Sequence, residues 1–349
     1  NNGTAPLSIG IFSTVYSSGT GTYITDQVYL KNLIIENSGN KSGLIIGNSK
    51  VKIESCIFKD NIGGDYGGGL YVGDNSEVHI YDSIFENNDG ERGAGIAYYQ
   101  SSGSIRNSII RNNQTSKSGG GILITSNSNV DIYNCTIHSN GKLYNNDRIQ
   151  GGGLNVHYNS TSNIYNTNIY NNNANVGGGI FLESNADINF INSNVYNNEA
   201  NSGSIFIQDE SSNLKFINSI WWANGKTVWN NGNMEVSYSS VEGGKYNIIE
   251  KDDGITVWGS GNLDGNQDPA FSNPGNGNFT LLQNSPLIDS GDPDLDNDGI
   301  TWESDPDDQD PDGTRLDIGA NYYHQAYSGP NWYVSESGSN ETGDGSTDL

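Results

Sequence analysis

The chain has 349 residues, of which 33% are hydrophobic and 46 are glycine, and its formal charge is −25, from 16 basic and 41 acidic residues. So acidic a chain disfavours nucleic acid and anionic membranes as partners and favours divalent cations. Its length suits one long solenoid or two ordinary domains, and its low hydrophobicity requires a thin core with many turns.

Residues 1–24 are rich in Ser, Thr and Gly, with one apolar run from Pro6 to Tyr16. We read them as a lead-in or partial cap. No amphipathic capping helix is visible, so the chain is expected to begin inside a larger protein or to be covered by a neighbour; no secretion leader is visible either. No stretch reads as a membrane span.

From 25 to 245 one pattern recurs. Its clearest copy is VKIESCIFKDNIGGDYGGGL (51–70): a short β-branched run, Phe-x-x-Asn, a loop, a glycine triplet and a second short run. Further copies follow at 84–99, 109–125, 136–157, 168–183 and 194–208, with a weaker one at 33–47 and a glycine-poor one at 220–225. The closing asparagines read as Asn37, Asn61, Asn88, Asn113, Asn140, Asn172, Asn198 and Asn224, 24 to 32 residues apart. A period of this size with runs too short for helices predicts an all-β solenoid of about eight or more coils. At ~4.8 Å per coil the rod is roughly 40 Å long.

The asparagines are expected to stack as an interior amide ladder, with a second polar column through Asp82, Asn107, Asn134, Asn166, Asn192 and Asn218. The glycines mark positive φ or close backbone approach. Cys56 and Cys135 fall in one Ser/Thr/Cys column three coils apart, about 14 Å, too far for a disulfide.

The pairing of GG[AG][ILV] with FxxN resembles the passenger repeats of chlamydial polymorphic outer-membrane proteins. More broadly it resembles the right-handed parallel β-helix proteins of the pectate-lyase-like superfamily. The resemblance covers roughly 25–245 and implies the fold. It leaves function open, because lyases, adhesins and tailspikes share that architecture.

One loop is longer than the rest, from Asn140 to Gln150, and offers Lys142, Tyr144 and Arg148 either to an acidic sugar or to solvent. Residues 246–330 then change character. Asp268 to Phe271 (DPAF) and Ser285 to Gly291 (SPLIDSG) resemble segments that close bacterial β-helices, and predict a cap tied back along the rod. Within 289–317 stand twelve acidic residues and one base, Arg315.

There Asp294, Asp296 and Asp298, followed by Gly299, Ile300 and Asp305, fit a twelve-residue calcium loop, with Ile300 offering its backbone carbonyl. Asp305 stands where such loops favour Glu, and no flanking helices are evident. The following DPDDQDPDG (305–313) resembles thrombospondin type 3 strings. Ca2+ is the expected cofactor, stiffening the junction between modules. Residues 331–349 look like the opening of a further β-helix module or a linker.

Catalytic candidates are sparse. Arg106 and Arg111 share one coil, with Asp82 and Glu86 one coil before, and the resemblance to lyases implies an arginine base beside acids. The histidines His79, His138, His157 and His324 show no metal-ligand spacing.

Two surface stripes are predicted. Alternation along the strand turns Tyr71 outward, in an apolar column Ile45, Tyr71, Ala97, Leu123, Asn155, Phe181 and Phe206 that needs a cover, either the 246–330 tail or a partner. The second stripe is aromatic: Tyr81, Tyr133 and Tyr165, with Tyr170, Tyr196 and Trp222 nearby. It reads equally as a sugar platform or as ordinary β-surface.

The expected function is a non-enzymatic structural or adhesive module of a large secreted surface or filament-forming protein, partnered by neighbouring modules or copies of itself. The alternative is a polysaccharide-binding or polysaccharide-lyase-like β-helix.

Overall fold

The computed structural model describes residues 14–16, 28–141, 149–225 and 227–325. The chain winds into a parallel β-solenoid with three long faces. Two sheets have ten strands each and one has nine. Each coil contributes one strand to each face, so neighbours in space are about one repeat apart in sequence. In the coil that opens at the first full triplet, Leu70–Gly73 lies in the glycine-led sheet, Glu77–Tyr81 in the middle sheet and Ile84–Glu86 in the closing sheet. Register is strict: Leu70 pairs with Ile96 and Val78 with Gly103, in parallel.

The bends follow from residue chemistry. Between the middle and closing sheets the chain turns at Asp82, Asn107, Asn134, Asn166, Asn192 and Asn218, all left-handed. Asp and Asn adopt that conformation more readily than other non-glycine residues. The residue after each turn is small and buried. Where the next coil offers a hydroxyl, the N–H bonds to it, as in Cys56 to Ser83 at 3.1 Å and Cys135 to Thr167 at 3.2 Å. Both cysteines are free and buried in this column, and burial pushes the Cys135 thiol up to about 12.

The asparagine ladder forms. Asn88 Nδ2 donates to Asn113 Oδ1 (2.9 Å) and to the Phe58 carbonyl (3.0 Å). The same geometry repeats at Asn61, Asn113, Asn140, Asn172 and Asn198. Asn37 is not a rung. Because Ile35 pairs with Phe58, Ser38 aligns with Asn61, and Asn37 takes the left-handed position before the ladder (φ 57°).

A single apolar core fills the solenoid, with stacks such as Phe58 on Phe85 and Phe190 on Phe216. The coils continue past 245, through Ile248–Glu250 and Ile255–Trp258. The chain then turns back. An antiparallel hairpin (Phe271–Asn273 and Asn278–Leu281) and the segment to Gln325 form a strap against the closing sheet.

Candidate divalent-cation site and the outer faces of the rod

The strap carries the acidic loop and fixes it to the rod. The Asp292 N–H donates to Asn218 Oδ1 (2.6 Å) and the Gly319 N–H to the Asn218 carbonyl (2.8 Å). Between these anchors the aspartates fold the backbone around their own carboxylates, as Asp does in turns. Asp296 accepts from the Asp298 N–H (3.1 Å), Asp298 from the Ile300 N–H (2.7 Å), and Asp294 from the Gly299 N–H (3.2 Å). Gly299 (φ 86°) supplies the reversal.

Four of the five predicted ligands are carboxylates that this folding gathers. Oxygens of Asp296, Asp298 and Asp305 lie within 4.8 Å of one another. Asp294 groups with Asp296 and with a residue outside the predicted set, Asp308, at the same spacing. Ile300 lies on the loop with its side chain exposed.

Asp308 ends the short 3-10 turn Pro306–Asp308 and is only 1% exposed. Its Oδ1 accepts from the Leu295 N–H (2.8 Å), and its buried Oδ2 has no partner. Burial raises its pKa, and the charges of Asp305, Asp296 and Asp294 add to the rise. The sequence signal for it is its place in DPDDQDPDG, three residues beyond the twelve-residue frame.

A second carboxyl pair closes the strap. Burial, reinforced by the charge of Asp317, pushes Asp310 up to about 8. Asp317 accepts from the N–H groups of Asp289 (2.7 Å) and Tyr323 (2.6 Å), and its own N–H donates to Asp310 (2.9 Å).

The candidate catalytic arginines are both engaged. Arg111 forks onto Glu86 Oε2 through Nε (2.9 Å) and Nη2 (2.6 Å). The Arg106 guanidinium lies 3.8 Å from the Tyr133 ring centre. Asp82 accepts from Asn107. His79 contacts Ser104 and Glu77, His138 stacks on Tyr170, and His157 contacts Glu183. Lys142, Tyr144 and Arg148, and the segment 331–349, lie outside the described residues.

The apolar stripe is not a surface. Ala97, Leu123, Asn155 and Phe181 are fully buried and Phe206 is 5% exposed. Their cover is neither the tail nor a partner. Among the described residues, loop segments of successive repeats pair with one another, Asp89–Arg92 with Gln114–Ser118 and Asn173–Val176 with Glu199–Ser202, and Val176 packs on Phe181 and Phe206. The first glycine of each triplet backs onto the column: a Cβ on Gly119 would sit 2.9 Å from Leu123 Cβ. Tyr71 is half-buried against Tyr66.

The tail instead covers Tyr170, Tyr196 and Trp222, which pack against Phe271, Phe279 and Leu281. This leaves Tyr81, Tyr133 and Tyr165 as an outward column on the middle sheet. The Tyr133 and Tyr165 rings stack at 5.1 Å, and Lys52 sits over Tyr81 at 4.9 Å.

A family model described as the right handed beta helix region matches residues 7–116 and 92–268, well over half of the chain. The chain belongs to the right-handed beta helix family. The crystal structure of pectate lyase Pel9A is similar to this β-helix over 85% of this chain and 88% of that one, with 12% identity and a TM-score of 0.48. No curated protein matches the sequence.

On this β-helix the acidic loop is an all-oxygen donor set. Hard cations such as calcium take six to eight oxygens from carboxylates, carbonyls and water. The carboxylates repel one another at this spacing. Among the described residues, no helix is long and apolar enough to cross a membrane.

Proposed function

We propose that this β-helix is a non-enzymatic structural module of a secreted surface or filament-forming protein, with calcium stiffening its C-terminal strap. One observation carries the reading. Asp296, Asp298 and Asp305 converge within 4.8 Å on a strap that is itself bonded to the rod at Asn218. Asp294, and Ile300 through its backbone carbonyl, would complete the oxygen set. Calcium then neutralises the loop and holds the junction where a neighbouring module or a second copy would abut.

The test is electron microscopy of the intact protein, with calcium and after chelation, beside a thermal scan. Calcium-dependent end-to-end or lateral rods and a higher unfolding temperature support the reading. Single particles in calcium overturn the assembly role, and an unchanged melting temperature overturns the calcium role.

A second reading, polysaccharide binding, is favoured by the stacked Tyr133–Tyr165 pair capped by Arg106. Aromatic faces beside a cation suit acidic sugar rings. Titration with polygalacturonate, with Tyr133→Ala as control, decides it. Binding lost in the variant supports the reading, and no binding by the native chain removes it.

A further inference from the structure

We infer that the acidic loop is built for two divalent cations that share Asp296, with Asp308 as the enclosed ligand of the inner one. The inference rests on the reading of this loop as a cation site, and adds to it a second ion and a ligand outside the twelve-residue frame.

The carboxylates fall into two triads. Asp294, Asp296 and Asp308 form one, and Asp296, Asp298 and Asp305 form the other. Both have mutual spacings within 4.8 Å. Two oxygens on opposite sides of one calcium ion are about 4.8 Å apart, twice the Ca–O distance of roughly 2.4 Å, so each triad has room for one ion. The triads differ in depth. In the outer one, Asp296 and Asp298 are exposed and Asp305 is half-buried. The inner one ends on Asp308, which is almost wholly enclosed.

Asp308 is what points to a ligand. One oxygen is occupied by the Leu295 N–H, and the other is buried without a donor. Leaving a buried acceptor unmet is costly, and more so for a charged group. A cation between Asp294, Asp296 and Asp308 answers it directly.

Charge points the same way. Five carboxylates (Asp294, Asp296, Asp298, Asp305 and Asp308) stand together, and one calcium ion offsets two of their charges. Two ions offset four. The inner ion would also join two pieces of the strap, the 294–299 loop and the Pro306–Asp308 turn. The outer ion touches only the loop and the start of that turn.

Isothermal titration of the metal-stripped 349-residue chain with calcium chloride tests this. The expected result is two ions per chain, one in Asp308→Asn, one in Asp298→Asn, and at least a tenfold loss of affinity at both sites in Asp296→Asn. Two ions retained in Asp308→Asn overturn the inference. One ion in the native chain, lost in Asp298→Asn and kept in Asp308→Asn, also overturns it and leaves the single-site reading standing. No binding by the native chain overturns both. Far-UV circular dichroism checks each fold. If Asp308→Asn does not fold, Asp298→Asn decides, since that residue is exposed: one ion retained supports the inference and none overturns it.

Discussion

The rod and its strap handle polar groups in opposite ways. Inside the rod, each ladder asparagine donates to its neighbour's oxygen and to a carbonyl one coil back, so identical residues satisfy one another. In the strap, identical residues repel. The aspartates of 294–308 meet more aspartates, and the only base in 289–317 is Arg315. A neutral amide repeated along a stack is its own partner, whereas a carboxylate repeated needs something from outside. Rod stability should therefore respond to changes in stacking, and strap stability to cations.

The sharpest way to break the rod is to overfill one coil. Tyr98 points into the core, where the coils on either side carry Val72 and Ile124, and its hydroxyl bonds the Val78 carbonyl at 3.0 Å. The matching middle-sheet position is Gly103, between Val78 and Val130. A Cβ there would meet the Val78 oxygen at 1.8 Å, at a φ of 154° that side chains avoid. Gly103→Val should cost on the order of 4 kcal/mol, overpacking and backbone strain combined. Adding Tyr98→Ile, which restores the pattern of the adjacent coils, should recover about half of that in urea unfolding. No recovery would mean that the glycine answers to the backbone alone.

The ladder comes next. Asn113→Ala removes bonds to the Phe85 carbonyl and Asn140 Oδ1, and takes an acceptor from the Asn88 N–H and amide. Buried groups lose partners on both sides, so the loss should be about 3 kcal/mol. Asn37→Ala, one position off the ladder, should cost only about 1 kcal/mol from its left-handed φ. Equal losses at the two positions would contradict the register that places Ser38 beneath Asn61.

That contrast shows what was legible in the sequence. The coil period, the cysteine column and the rungs from Asn61 onward were readable, because each repeats at a fixed offset from Phe-x-x-Asn. Asn37 misled because an asparagine is equally at home in the left-handed turn and in the ladder one residue later. Only the Ile35–Phe58 pairing separates the two. The apolar column misled for a different reason. Strand alternation says which residues leave the core, and says nothing of a loop that folds back over them, so Leu123 and Phe181 looked exposed. Asp308 was hidden because its approach to Asp294 depends on the turn at Pro306–Asp308, which no fixed spacing announces.

For the strap, chelation is the corresponding test. An ion present at a hundredfold excess over its Kd stabilises by about 2.7 kcal/mol. Removing calcium should therefore release the strap before the rod unfolds. The expected readout is faster proteolysis within 259–325 and exposure of Tyr170, Tyr196 and Trp222 to quencher, with the far-UV spectrum of the coils unchanged. Loss of the coil spectrum on chelation would mean that the rod depends on the strap, and the contrast between the two would fail.

The smallest effect is expected on the rod's outer surface, and it bears on catalysis. Arg111 and Glu86 keep 38% and 21% of their side-chain surface exposed. Such a pair contributes at most about 1 kcal/mol in water. The stack of Arg106 on Tyr133 is of the same order, ~0.5–1 kcal/mol. Arg111→Ala and Arg106→Ala should thus fold normally, shift the urea midpoint slightly and leave polygalacturonate turnover at the background of the native chain. Native turnover above background that falls tenfold or more in either variant would make that arginine a base and displace the structural reading. Arg111 already spends two donors on Glu86, and a proton-abstracting guanidine needs its nitrogen free of that fork. Solvent exposure makes the pair weak as a stabiliser, while the fork counts against Arg111 as a catalyst.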